Sequence, residues 1–173
     1  RGFDLRGHGR SEGTRGHFDS YDQVALDIDQ FILDTRAEQP TLPVFLYGHS
    51  LGGALVLYYG ETHHGSLKGI IATSPGLAPA TPLPAPRMAA ARVLSVLAPR
   101  MQLKNDLDLT GLSHDPQIME KYSADPLVHP FISTRLGLQL IQNGRFIVDH
   151  ANQLEVPLLL MQGSADRLVN PPM

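Results

Sequence analysis

There is no cysteine in this 173-residue chain. That absence excludes a disulfide framework, a thiolate metal site and a cysteine nucleophile. A basic excess is missing as well. Fourteen Lys and Arg face seventeen Asp and Glu, for a formal charge of -3. A nucleic-acid binder normally carries a basic patch or a strongly basic domain, so that class is excluded. Charged residues amount to only 18%, against about 25% in an average soluble domain. No apolar run reaches the roughly 18 residues of a membrane span. Internal repeats and low-complexity tracts are also lacking. What the chain does have is 42% apolar residues, enough for a core, at a length that as a prior fits one domain.

The chain opens at Arg1 without a Met or a signal-peptide pattern and closes at Asn170-Pro171-Pro172-Met173, which reads as a loop. It is therefore expected to be a piece of a longer protein, and its compartment is not legible. A cytoplasmic or peripheral-membrane location is the expectation.

Gly2-Phe3-Asp4 reads as the end of a strand, followed by a glycine-rich loop through Gly13. Ser20-Tyr21-Asp22-Gln23 fits a capping box, with Val24, Ile28, Phe31 and Ile32 forming one helical stripe that should end before Pro40. Val44 to Tyr47 suits a strand buried on both faces, Leu51 to Thr62 a helix, Gly69 to Thr73 a second buried strand and Pro157 to Gln162 a third. Strands alternating with helices predict a mostly parallel sheet flanked by helices. Between the last two strands, residues 75 to 87 carry five prolines, as an irregular linker would. Helices are expected over 87–97, 115–122 and 131–148. The predicted α/β organisation is core over 1–74, helical cap over 75–153, and core again over 154–173.

Gly48-His49-Ser50-Leu51-Gly52 matches G-x-S-x-G. A buried strand enters it and an apolar helix leaves it, the setting of a nucleophile elbow. Ser50 would stand on a strained turn with its hydroxyl above the sheet edge. Gly48 and Gly52, with Gly53, would avoid collisions across that turn. The amide of Leu51, at the start of the helix, is a candidate oxyanion donor. A bare Gly-rich turn and a phosphate-binding loop are the rivals, but no phosphate-loop pattern opens this helix.

A serine nucleophile needs a base, and the base needs an orienting acid. In this architecture the acid follows a later strand, and Asp166 in Gly163-Ser164-Ala165-Asp166-Arg167 does so. The base should come after it, yet all eight histidines (8, 17, 49, 63, 64, 114, 129, 150) precede Asp166. His49, next to Ser50, reads as a packed or hydrogen-bonded core residue. The others read as loop, helix-end or cap positions, so the base is expected beyond Met173.

Leu46 to Ala54 resembles the elbow of the monoacylglycerol lipase and lysophospholipase group of α/β-hydrolases. Asp4 with Arg6 to Gly13, the Tyr122-Ser123-Ala124-Asp125-Pro126-Leu127 stretch, and Gln162 to Val169 resemble the same group, in the same order. The resemblance implies an α/β-hydrolase fold with a helical cap inserted between two strands, here without its first strands and its C-terminal His segment. It implies hydrolysis of an acyl ester on a glycerol backbone, with Ser50 as nucleophile and Asp166 as acid. It requires no metal or organic cofactor, and it places the upstream oxyanion loop before Arg1. The implied partner is a small lipid ester; the low charge and the apolar cap, for their part, suit transient contact with a lipid surface.

Several rivals share the elbow: a short-chain esterase, a serine aminopeptidase or a perhydrolase. A peptidase cap would offer acids to a free amine, for which Asp106, Asp108, Asp115, Glu120 and Asp125 are candidates. Haloalkane dehalogenases and epoxide hydrolases are disfavoured because they carry Asp where Ser50 stands. A non-catalytic, hydrolase-like binding module is the rival from another class. The 173 residues alone are expected to be almost inert, because losing one triad member costs on the order of 10⁶ in kcat.

Overall fold

The computed structural model describes residues 1–63, 67–79, 81–105 and 108–169. His64, Asp106 and the closing loop at 170–173 lie outside the described residues.

Helix α1 runs over Tyr21–Glu38. The Ser20 hydroxyl accepts from the Gln23 N–H at 3.1 Å, and the Gln23 side chain accepts in return from the Asp19 N–H at 3.1 Å. This reciprocal pair satisfies two amides that the helix cannot. The chain leaves the helix before Pro40, whose ring disfavours a helical residue ahead of it. Strand β1 (Phe45–His49), helix α2 (Leu51–Thr62) and strand β2 (Gly69–Thr73) follow where the pattern places them.

Next come helix α3 (Ala85–Leu97), strand β3 (Gln102–Lys104), helix α4 (Pro116–Ala124), strand β4 (Phe131–Ser133), helix α5 (Thr134–Asp149) and strand β5 (Leu158–Met161). The main sheet is parallel with order β1-β2-β5. β2 and β5 are therefore neighbours, and the whole segment from 75 onward is inserted between them. The core lies where α2 packs on the sheet, with α1 and α5 beside it. Its members include Val24, Ile28, Leu55, Tyr59, Ile70 and Leu136.

Four sequence expectations are corrected. Gly2-Phe3-Asp4 is not a strand. Asp4 instead closes the loop that follows, accepting the Arg10 N–H on its side chain at 2.9 Å and the Ser11 hydroxyl on its carbonyl at 2.6 Å. β1 is not buried on both faces. Phe45 and Tyr47 are 57% and 62% exposed while Gly48 is buried, so one face meets α2 and the other is open. β5 is exposed at all four residues, because it borders β2 on one side only. The helix expected over 131–148 begins at 134. Phe131 and Ile132 pair antiparallel with Lys104 and Leu103. Ser133, a poor interior residue, caps the helix through its hydroxyl, accepting the Leu136 N–H at 3.1 Å.

Candidate active site

β1 delivers the chain to Ser50 at the carboxyl end of the sheet, and α2 begins at Leu51. Ser50 has φ 52° and ψ -116°, a left-handed value for a residue with a Cβ. Such a conformation costs on the order of 1–3 kcal/mol and persists only where its surroundings hold it. Here they do. The Ser50 N–H donates to the Thr73 carbonyl at 3.0 Å, and the Ser50 carbonyl accepts from Ala54 at 3.1 Å and from Gly76 at 2.9 Å. A serine at a helix N-cap usually spends its hydroxyl on a first-turn amide. Ser50 makes no such bond, and the residue is exposed. Its hydroxyl is thus presented outward beside the first-turn amides of α2, Leu51 among them, which have no partner within the helix.

The glycines divide differently from the expectation. A Cβ at Gly48 would lie 2.1 Å from the Gly52 carbonyl oxygen, so Gly48 is required by close approach. Gly52 itself has open space around a Cβ, and the second crowded position is Gly53, 2.9 Å from the Cα of Pro75. The turn is tight because the loop after β2 presses against the start of α2.

Asp166 lies in the loop after β5. Register aligns His49, Thr73 and Met161 across the three strands, so Ser50 and the Asp166 loop leave the same end of the sheet. They are two strand spacings apart, roughly 10 Å. The Asp166 carboxylate is half-buried and held on both oxygens. Oδ1 accepts from the Leu168 N–H at 2.9 Å and the Val169 N–H at 3.0 Å, and Oδ2 accepts from Gln162 Nε2 at 2.7 Å. The loop is tied to the inserted segment at two points. Arg167 donates to the Thr110 hydroxyl at 2.8 Å and pairs with Asp108 at 3.7 Å. Val169 bridges Pro79. The Asp108 carboxyl is held below its ordinary value, mainly by the Thr110 hydroxyl that donates to it.

None of the hydrogen bonds of the described histidines reaches Ser50 or Asp166. His49 is exposed rather than in the core, with Nδ1 on the Thr73 hydroxyl at 2.9 Å. His8 bonds the Arg6 carbonyl and faces His129, whose Nε2 reaches the Gly7 carbonyl at 3.1 Å. Burial lowers the His8 pKa from its ordinary value. His17 sits between Ser133 Oγ at 2.8 Å and Asp19 at 3.2 Å, a second Ser–His–Asp arrangement. Ser133 is fully buried and already caps α5, so this trio braces the 14–19 loop against β4 and carries no nucleophile.

Two of the other acids named from the sequence are engaged locally. Asp115 caps α4, and Asp125 closes its far end by accepting the Leu127 N–H at 2.8 Å. One surface cleft, about 640 Å³, is lined by Asp4, Arg6, Asp27 and Arg100 among others and includes neither Ser50 nor Asp166. Thr73 and Gln162 are not singled out as site residues from the sequence. Only Gln162, directly after a strand and four residues before the acid, left a readable signal.

The sequence matches the family Hydrolase_4, described as serine aminopeptidase, S33, over residues 1–173. A monoacylglycerol lipase of Mycolicibacterium smegmatis is 34% identical over 96% of this chain and 59% of its own length. Human monoglyceride lipase is 34% identical over 94% of this chain and 54% of its own. The crystal structure of a Paleococcus ferrophilus monoacylglycerol lipase superposes with a TM-score of 0.83 at 38% identity, over 94% of this chain and 61% of that one. The chain thus spans between half and two thirds of these relatives.

Proposed function

This chain belongs to the serine aminopeptidase S33 family and has the α/β-hydrolase fold, and from that premise we propose that the protein is a serine hydrolase cleaving carboxylic esters of lipids, a monoacylglycerol or lysophospholipid. The observation that carries this reading is Ser50, held at φ 52° with its hydroxyl uncommitted. Ser50 Oγ attacks the ester carbonyl, and its proton passes to an imidazole hydrogen-bonded to Asp166. The Leu51 N–H binds the oxyanion with a second amide, each donor worth about 10²–10³ in rate. The imidazole, now an acid, protonates the departing alkoxide, and water then releases the fatty acid from Ser50. The roughly 10 Å between the serine and acid strands fits a ring placed between them. A histidine outside these residues supplies that ring, in keeping with the larger size of the relatives, and the 173 residues alone are expected to be nearly inert.

Residues 75–153 act as the cap, whose apolar side covers the acyl chain. Its helix α3 also turns Val93, Val96 and Leu97 outward, at 56%, 72% and 77% exposure, on the C-terminal side of the exposed Arg87 and Arg92. This pattern suits shallow contact with a lipid surface. No helix among the described residues is long and apolar enough to cross a membrane. Liposome flotation of the full-length protein checks the contact; recovery only at the bottom of the gradient contradicts it.

The family description also raises an aminopeptidase. Asp115 and Asp125 are spent on helix ends, and Asp108 on Thr110 and Arg167, so these acids do not converge on a free amine. Full-length protein should turn over a long-chain monoacylglycerol or lysophospholipid with higher kcat/KM than a short-chain ester or an aminoacyl arylamide. Preference for the arylamide contradicts the reading.

A further inference from the structure

Ionised Asp166 offers about four acceptor sites. Three are taken from within its own loop and strand end: two on Oδ1 by backbone amides, one on Oδ2 by Gln162. The backbone pair fixes one oxygen but leaves the carboxylate free to pivot about it. The residues between Gly163 and Ala165 are exposed, so the loop itself supplies little packing to stop that swing. Gln162 is different. It follows Met161, which pairs with Thr73 and whose carbonyl accepts the Ser74 N–H at 2.8 Å. It is therefore mounted on the same register row that ends in the elbow. Among the described residues it is the one side chain found donating to Asp166.

We propose that Gln162 is a positioning residue: its amide locks Asp166 Oδ2 so that the remaining acceptor site faces the histidine that serves Ser50. The inference rests on the serine-hydrolase reading and adds to it a residue that touches neither substrate nor base. Its chemistry is electrostatic and geometric. A neutral donor holds the carboxylate without competing for the proton, and a misplacement of about 1 Å in such a constellation costs up to 10²-fold in rate.

The test uses full-length protein, a saturating ester series for kcat and KM, and the ratio of variant to wild-type kcat from pH 5 to 9. Gln162→Leu keeps the bulk and removes the donor. Its kcat should fall about tenfold or more with KM within about twofold. Gln162→Glu keeps the shape. As a carboxylate it repels Asp166 and should be worse than Gln162→Leu at pH 9. On protonation it regains a donor, so its ratio to wild type should climb as pH falls toward 5. A purely structural role would give a flat ratio. Should Gln162→Leu fail to fold, the isosteric Gln162→Glu carries the test alone. A Gln162→Leu kcat within twofold of wild type, or a flat Gln162→Glu ratio, overturns the role of Gln162 while leaving the hydrolase reading intact. A wild-type protein that turns over no ester overturns both.

Discussion

The Ser50 N–H donates to the Thr73 carbonyl at 3.0 Å, joining the elbow to the last residue of the central strand. The same Thr73 lies beside Met161 of the strand that leads to Asp166. One residue of β2 therefore keeps the two candidate catalytic side chains in register. The left-handed turn at Ser50 is held by hydrogen bonds rather than relaxed into helix.

Glycine substitutions separate close approach from mere motif. Gly48→Ala drives a Cβ to 2.1 Å from the Gly52 carbonyl and should cost about 3 kcal/mol or more in urea unfolding. Gly52→Ala meets open space and should gain up to about 1 kcal/mol from helix propensity. Equal losses at both positions would contradict the geometry of the turn.

Ser133→Ala removes the cap of α5 and the partner of His17. A loss of about 2–4 kcal/mol is expected by chemical denaturation. Labelling at Ser50 should be unaffected in the folded protein. Loss of ester turnover without loss of stability would mean that the buried trio is catalytic.

Glu61 is 4% exposed, one of its oxygens has no partner, and burial pushes its carboxyl up to about 7 from an ordinary 4.5. Between those values the folded chain holds a proton that the unfolded chain has released. Stability should thus fall as pH rises through this window. Glu61→Gln removes the charged form and should be more stable than wild type by about 2 kcal/mol at pH 8, with little difference near pH 4.5. Parallel stability curves for the two proteins across this range would contradict it.

Much of the fold was legible because it depends on local chemistry. Ser20 and Gln23 announce a helix start, Pro40 announces a stop, and the runs at 69–73 and 158–161 are short and apolar. The G-x-S-x-G spacing located the elbow because a strand and a helix flank it. The rest is set by neighbours distant in sequence. Whether Phe45 and Tyr47 are covered depends on what faces the sheet. Phe131 and Ile132 extend rather than coil because Leu103 and Lys104 lie alongside them. Gly53, not Gly52, is the crowded glycine because Pro75 returns to meet it. Asp166 is a candidate from its place after a strand, whereas its three donors become visible only once the loop is folded.

The most direct measurement is mass spectrometry of full-length protein treated with a fluorophosphonate. One covalent adduct is expected, on the Ser50 hydroxyl, absent in Ser50→Ala and formed faster in wild type than in Asp166→Asn. An unmodified Ser50 in folded protein, or an adduct on a different serine, would contradict it.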